Sequence, residues 1–313
     1  MAFYSTTINS ATPAVDLMTW VDTNVLANSW TAVETWTSST KVANVYKSPA
    51  GSNTVGVDFF LVVYRSATTT TTVSFRLCEA YDLANHKLQK YVPNSGAGIT
   101  VNATDNTVTD ATGVLPDSST GFGVTIETPL STSRTYLLDV DVNRMILGVS
   151  LTASTSNTFV YAGVADSMLT TAADPVCLVL MNQYCGNVAV AGGGSTREPG
   201  TPAPATGNFR LVGNGDGPSF YYAFAPYSNT ISATTATIYA GDLYRPNPSA
   251  SIYLNSGRDG NSPRCTLQNI VTCRSGGAIG DTLSTAQKNG STRTYTMISK
   301  AATAVMQMFI RTS

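Results

Sequence analysis

Charge is what this sequence has least of. Lys, Arg, Asp and Glu together make up 12% of its 313 residues, about half the share of an ordinary soluble chain. The formal net charge is −1 and the pI near 5.8. No basic field draws such a chain to nucleic acid or to an anionic membrane. Histidine occurs once, as His86. A single imidazole excludes HExxH and other two-histidine metal sites, and any Ser-His-Asp triad would have to be built around it. No G-x-S-x-G elbow is present. Glu34, Glu79, Glu127 and Glu198 are the only glutamates. Glycoside hydrolysis needs just two carboxylates, but nothing in the sequence marks a pair. The expectation is a protein that is not an enzyme and holds neither metal nor cofactor.

Cysteine pairing motifs are also missing. Cys78, Cys177, Cys185, Cys265 and Cys273 are odd in number, and none has CxxC spacing. The opening MAFYSTTINS has neither a basic n-region nor an apolar h-region, so no signal peptide is expected. No apolar run approaches the ~18 residues of a membrane span. Together these features predict five reduced thiols acting as small buried hydrophobes.

Two constellations imitate binding sites. Asp139, Asp141 and Asn143 match the first three ligands of a calcium loop. However, Arg144 stands where the loop needs Gly and Ser150 where it needs Glu. The same alternation describes a strand with a polar outward face. The run Gly213-Asn214-Gly215-Asp216-Gly217 lacks the lysine of a P-loop and reads as a hairpin turn.

What the chain has is apolar and neutral polar. Hydrophobic residues reach 42%, enough for real cores and the opposite of a disordered balance. A helix is predicted from Thr12 to Asn28: Thr12 can cap it, Pro13 suits its first turn, and Leu17, Val21 and Val25 recur every four residues. After it the period falls to two. Strands are predicted at 41–46, 55–64, 71–81, 136–141, 145–152, 159–163 and 177–181, with a hairpin turn at Asn143-Arg144. Later candidates are 220–225, 237–240, 251–254, 269–273, 294–298 and 305–311. Along Thr71–Tyr81, Val73, Phe75 and Leu77 share one face while Ser74, Arg76 and Cys78 share the other. A turn-rich excursion at 93–123 is too long for a simple loop. The Gly/Pro-rich stretch 191–208 reads as a linker.

The fold class expected is therefore mainly β: two β-sandwich or barrel-like domains with one short N-terminal helix. Residues 1–190 form the first domain, 191–208 the linker and 209–313 the second. Fifteen tyrosines supply stiff contact surface with a hydroxyl tip. Tyr221, Tyr222, Tyr239, Tyr244 and Tyr253 cluster in the second domain and are candidate interface aromatics.

The order of these segments resembles a family of tailed-bacteriophage virion structural proteins. The resemblance runs through ATPAVDLMTWVDTNVLANSWTAVETW, a helix then a Trp-bearing strand, and through VGVDFFLVVYRS with TTVSFRLCEAYD. It continues in RTYLLDVDVNRMILGVSLTASTSNTFVYAGVAD, DPVCLVLMNQ, TLQNIVTCRSGGAIGDTL and TYTMISKAATAVMQMFIRTS. It implies a structural component of the virion, in the tail, neck or baseplate, assembled in the host bacterial cytoplasm and packed against other virion proteins as a homo-oligomer. It implies no catalytic residue. Two alternatives stay open: a surface module binding a host receptor or host-surface glycan, and a capsid decoration protein.

Overall fold

The computed structural model describes residues 2–49, 58–68, 71–91, 99–101, 108–110, 124–128, 130, 132–150, 159–164, 166–167, 178–183, 194–197, 210–212, 218–224, 249–256, 262–273, 278–286, 292–300 and 307–313. The elements follow in chain order: β1 (Ala2–Ile8), α1 (Pro13–Ala27), β2 (Thr31–Thr37), β3 (Lys41–Lys47), β4 (Phe60–Ser66), β5 (Thr72–Asp82), β6 (Lys87–Tyr91), β7 (Ile99–Val101), β8 (Val108–Asp110) and β9 (Val124–Glu127). Then come β10 (Arg134–Val140), β11 (Arg144–Val149), β12 (Phe159–Val164), β13 (Asp166–Ser167), β14 (Leu178–Gln183), β15 (Gly194–Arg197), β16 (Arg210–Val212) and β17 (Pro218–Phe224). The last are β18 (Ser249–Ser256), β19 (Ser262–Cys273), β20 (Thr282–Ala286), β21 (Thr292–Lys300) and β22 (Gln307–Arg311). Among the described residues the protein is mainly β, with one helix and antiparallel sheets.

The first sheet has the order β1-β10-β11-β12-β14-β15. The second runs β2-β3-β4-β5-β6, with β9 also on β5. The third runs β16-β17-β18-β19-β22-β21-β20, with β13 on β19. Among the described residues the strands β7 and β8 pair only with each other. The two longest strands are junctions. β5 gives one edge to β4 and divides the other between β9 and β6. β19 gives one edge to β18 and divides the other between β22 and β13. Because β13 follows β12 directly, the chain steps from the first sheet onto the third and back before β14.

One face of the first sheet packs against the helix and one face of the second sheet. Leu138, Leu147 and Val160 meet Leu17, Val63 and Phe75 in one continuous core. The helix is wedged where β1 and β10 lie over β4 and β5, while β12 and β14 meet β5 and β9 directly. Its apolar stripe at Leu17, Val21 and Val25 is buried as the spacing predicts. Asp22, on the same helix, accepts a hydrogen bond from the Tyr46 hydroxyl at 2.8 Å and ties α1 to β3. Trp30 then crosses the layers: its Nε1 donates to Asp141 O at 2.8 Å, and its ring meets Phe59 edge-on at 5.5 Å.

The other face of the first sheet is buried too, so β11 after Arg144 and all of β12 read as apolar runs. There the third sheet lies against it through two bulges. Ile298 is the extra residue where the β21–β22 register slips, and its side chain lies against Gly148. Asn269 sits in the larger slip of β19 against β18, at φ +61°. A bulge re-aims a side chain, and here both point at the first sheet.

Several expectations change. Thr12 makes no side-chain cap; its carbonyl accepts the N–H groups of Val15 and Asp16 instead. Ser74, Arg76 and Cys78 share a face as the alternation predicts, and that face is buried as well, because the outer side of the second sheet carries a core of its own. Asp139 is also buried rather than on an outward polar face. Within 191–208, Gly194–Arg197 is a strand, and the rest of that stretch lies outside the described residues, as do the predicted strand at 237–240 and the Gly213–Gly217 turn. Cys78 is a buried thiol; the side chains of the other four cysteines are outside the described residues.

Candidate functional site

The outer face of the second sheet gathers the chain's only histidine, a glutamate and several aromatic rings. Local backbone irregularities place them. A bulge at Val33 lets Glu34 and Trp36 stand opposite Val45 and Ala43. At the far edge, Asp82 folds the β5–β6 turn. Its Oδ1 accepts the N–H groups of Ala84 and Asn85 at 3.1 and 3.2 Å, and its Oδ2 accepts from Asn85 Nδ2 at 2.7 Å. This is the Asx-turn chemistry that makes Asp a turn residue. His86 completes the turn at φ +53°, a conformation that costs a residue with a Cβ some strain.

The cluster centres on the Glu34 carboxylate. His86 Nδ1 lies 2.6 Å from Oε1, and the Tyr81 hydroxyl donates to Oε2. The Trp36 and His86 rings are 5.5 Å apart and tilted by 35°, and Phe60 packs beside Tyr81 at 6.3 Å. Burial, reinforced by the hydrogen bond to Glu34, holds the Tyr81 phenol far above its usual pKa. Tyr81 is thus a fixed donor at any physiological pH. Further along the face, Lys41 and Arg76 lie 5.9 and 5.0 Å from the centre of the Tyr64 ring, within cation–π range.

The order of groups decides what this cluster can do. In a nucleophilic triad the imidazole stands between nucleophile and carboxylate. Here the carboxylate stands between the imidazole and the phenol. The arrangement fastens three chain segments, β2, the end of β5 and the β5–β6 turn, to one another.

The calcium-like series is taken apart by the fold. Asp141 Oδ1 accepts the N–H groups of Asn143 at 2.7 Å and Arg144 at 3.1 Å, closing the β10–β11 hairpin. Asp139 faces the third sheet instead. Among the described residues no group of three or more His, Cys, Asp or Glu is arranged to hold a metal ion, and no helix is long and apolar enough to cross a membrane.

Of the candidate interface tyrosines, Tyr221 and Tyr222 lie on β17 and Tyr253 on β18, where Tyr253 pairs with Phe224. Tyr239 and Tyr244 lie outside the described residues. The cluster at Glu34, Trp36, Tyr81 and His86 was not anticipated as a unit. The lone histidine and the scarce glutamates were the available signal, but 52 residues separate His86 from Glu34 and no local pattern joins them. No protein-family model matches the chain, and no curated protein matches it.

Proposed function

We propose that the chain is a structural component of a tailed-phage virion, a tail, neck or baseplate protein that packs against other virion proteins. The order of its segments supports the particle. The observation that carries the structural role is the Tyr81–Glu34–His86 cluster: the Tyr81 hydroxyl donates to Glu34 and the one imidazole stands against the same carboxylate, joining β2 to the end of β5 and its turn. A low-charge surface rich in Ser, Thr and Asn suits repeated contacts, because it loses little on desolvation and still hydrogen-bonds. A stable interface of that sort buries ~1,200–2,000 Å². A second reading, a module binding a host-surface glycan, draws on one feature: Trp36, half-buried beside His86, offers part of a ring to a sugar.

The arm is the excursion at 93–123. Its β7–β8 ribbon hydrogen-bonds to no other sheet among the described residues and lies beside β6 of the second sheet through β8. A two-stranded ribbon gains further by packing on a neighbour. Deleting Ser95–Thr112 removes both strands and leaves every pair of the second sheet in place. The shortened protein is expected to keep its melting temperature within a few degrees and to be depleted from purified particles. Normal occupancy of a folded deletion variant would refute the arm. Saturable binding of host polysaccharide abolished by Trp36→Ala would favour the second reading.

A further inference from the structure

Among the described residues Asp139 is the one buried carboxylate. It stands on β10, second in the strand order of the first sheet, on the face covered by the third, and is 2% exposed. One of its oxygens is engaged by the Asn269 amide; among the described residues Oδ2 has no hydrogen-bond partner. Asn269 is itself buried and reaches the carboxylate only because β19 bulges there into the left-handed region.

The charged groups around it can be named element by element. From its own hairpin comes Asp141, whose charge opposes ionisation. From β11 comes Arg144 and from β22 Arg311, which both favour it. Arg144 is shared: its Nη1 reaches the Tyr161 hydroxyl of β12 at 3.3 Å, and its Nε stands 3.7 Å from Asp141 Oδ1. Tyr161 in turn donates to Val164 O at 2.6 Å. The group from β19, Asn269, is neutral. Ionised Asp139 is thus a buried charge between two layers, with one oxygen unsatisfied and guanidinium help partly committed elsewhere.

We propose that Asp139 is a proton-operated clasp between the first and third sheets, closing the layers when protonated and loosening them when ionised. Burial, the largest influence, lifts this carboxyl from 3.8 to about 7. The sign follows. The folded chain holds the proton more tightly than the unfolded chain, so stability declines as pH rises from 3.8 to about 7 and stays reduced above that. The clasp depends on the layers of this fold and does not rest on the virion reading.

Hydrogen exchange of the full chain, corrected for intrinsic rates and followed from pH 5.5 to 8.5, reads it directly. Peptides from β10, β19 and β22 are expected to lose protection roughly ten-fold or more as pH rises from 5.5 to about 7 and to change little above it, while peptides from β4, in the second sheet, keep theirs. Asp139→Asn removes the ionisable group at nearly constant volume and should flatten the transition. Arg311→Gln removes a charge that favours ionisation, so its transition moves to higher pH; this variant keeps the test valid even if Asp139→Asn fails to fold. Equal protection of the third sheet at both pH values would overturn the clasp. So would a transition that persists in Asp139→Asn, or one that stays or moves to lower pH in Arg311→Gln.

Discussion

Gly163→Ala is expected to destabilise the protein by about 3–5 kcal/mol, combining backbone strain with overpacking. Gly163 has φ +142°, and a Cβ built on it would stand 2.3 Å from Asn143 O and 2.5 Å from Arg144 Cα. Both neighbours are backbone and cannot swing aside. Asn143 O also accepts the N–H of Val164 at 2.9 Å, so relieving the clash breaks a hydrogen bond in the middle of the first sheet. A chain of ordinary stability, ~5–15 kcal/mol, has little margin for such a loss. Gly280 is the control. It also has positive φ, +95°, but a Cβ there meets nothing within 4 Å, so its alanine variant carries strain alone, about 1–2 kcal/mol. Urea midpoints of the two variants measure the difference. Equal shifts would show that β11 and β12 do not approach as closely as described.

Leu17→Ala is expected to cost ~2–5 kcal/mol. Leu17 is fully buried in the wedge between the first and second sheets, with Ala14, Val21 and Val25 of the same helix around it. Truncation removes apolar contact and leaves a void bounded by two sheets, which cannot both close on it. Leu26, on the same helix, is 37% exposed; its alanine variant should shift stability by no more than ~0.5 kcal/mol. Thermal unfolding of the pair tests whether the helix is core or ornament. Similar losses at both positions would contradict the wedge.

Legibility in the sequence follows how local each cause is. The helix was readable because Pro13 and the four-residue spacing of Leu17, Val21 and Val25 are local facts. The buried strands β4, β5, β10, β11 and β12 were readable because strands covered on both faces become apolar runs. The strand β1 was not: AFYSTTI is mixed in polarity, and its pairing with β10 lies more than a hundred residues away. The strand β6 was hidden for a related reason, since KLQKY is a polar edge. Asp139 was misread because alternation with Asp141 resembles a solvated face; the residues that meet it from the third sheet, Asn269 and Arg311, lie 130 and 172 positions later. The candidate site was beyond reach for the same reason. A bulge at Val33 and a left-handed turn at His86 bring Glu34, Tyr81 and His86 together, and neither irregularity has a signature in the residues that form it.

The structural reading stands or falls on where the chain ends up. The proposed function predicts that the chain is present in phage particles purified from an infected-cell lysate through a density gradient and a salt wash, where peptide mass spectrometry quantifies it against the major tail protein. A virion component packed by symmetric contacts gives a fixed ratio, reproducible between preparations and unchanged by the wash. A chain abundant in the lysate but missing from the washed particles contradicts the proposed function.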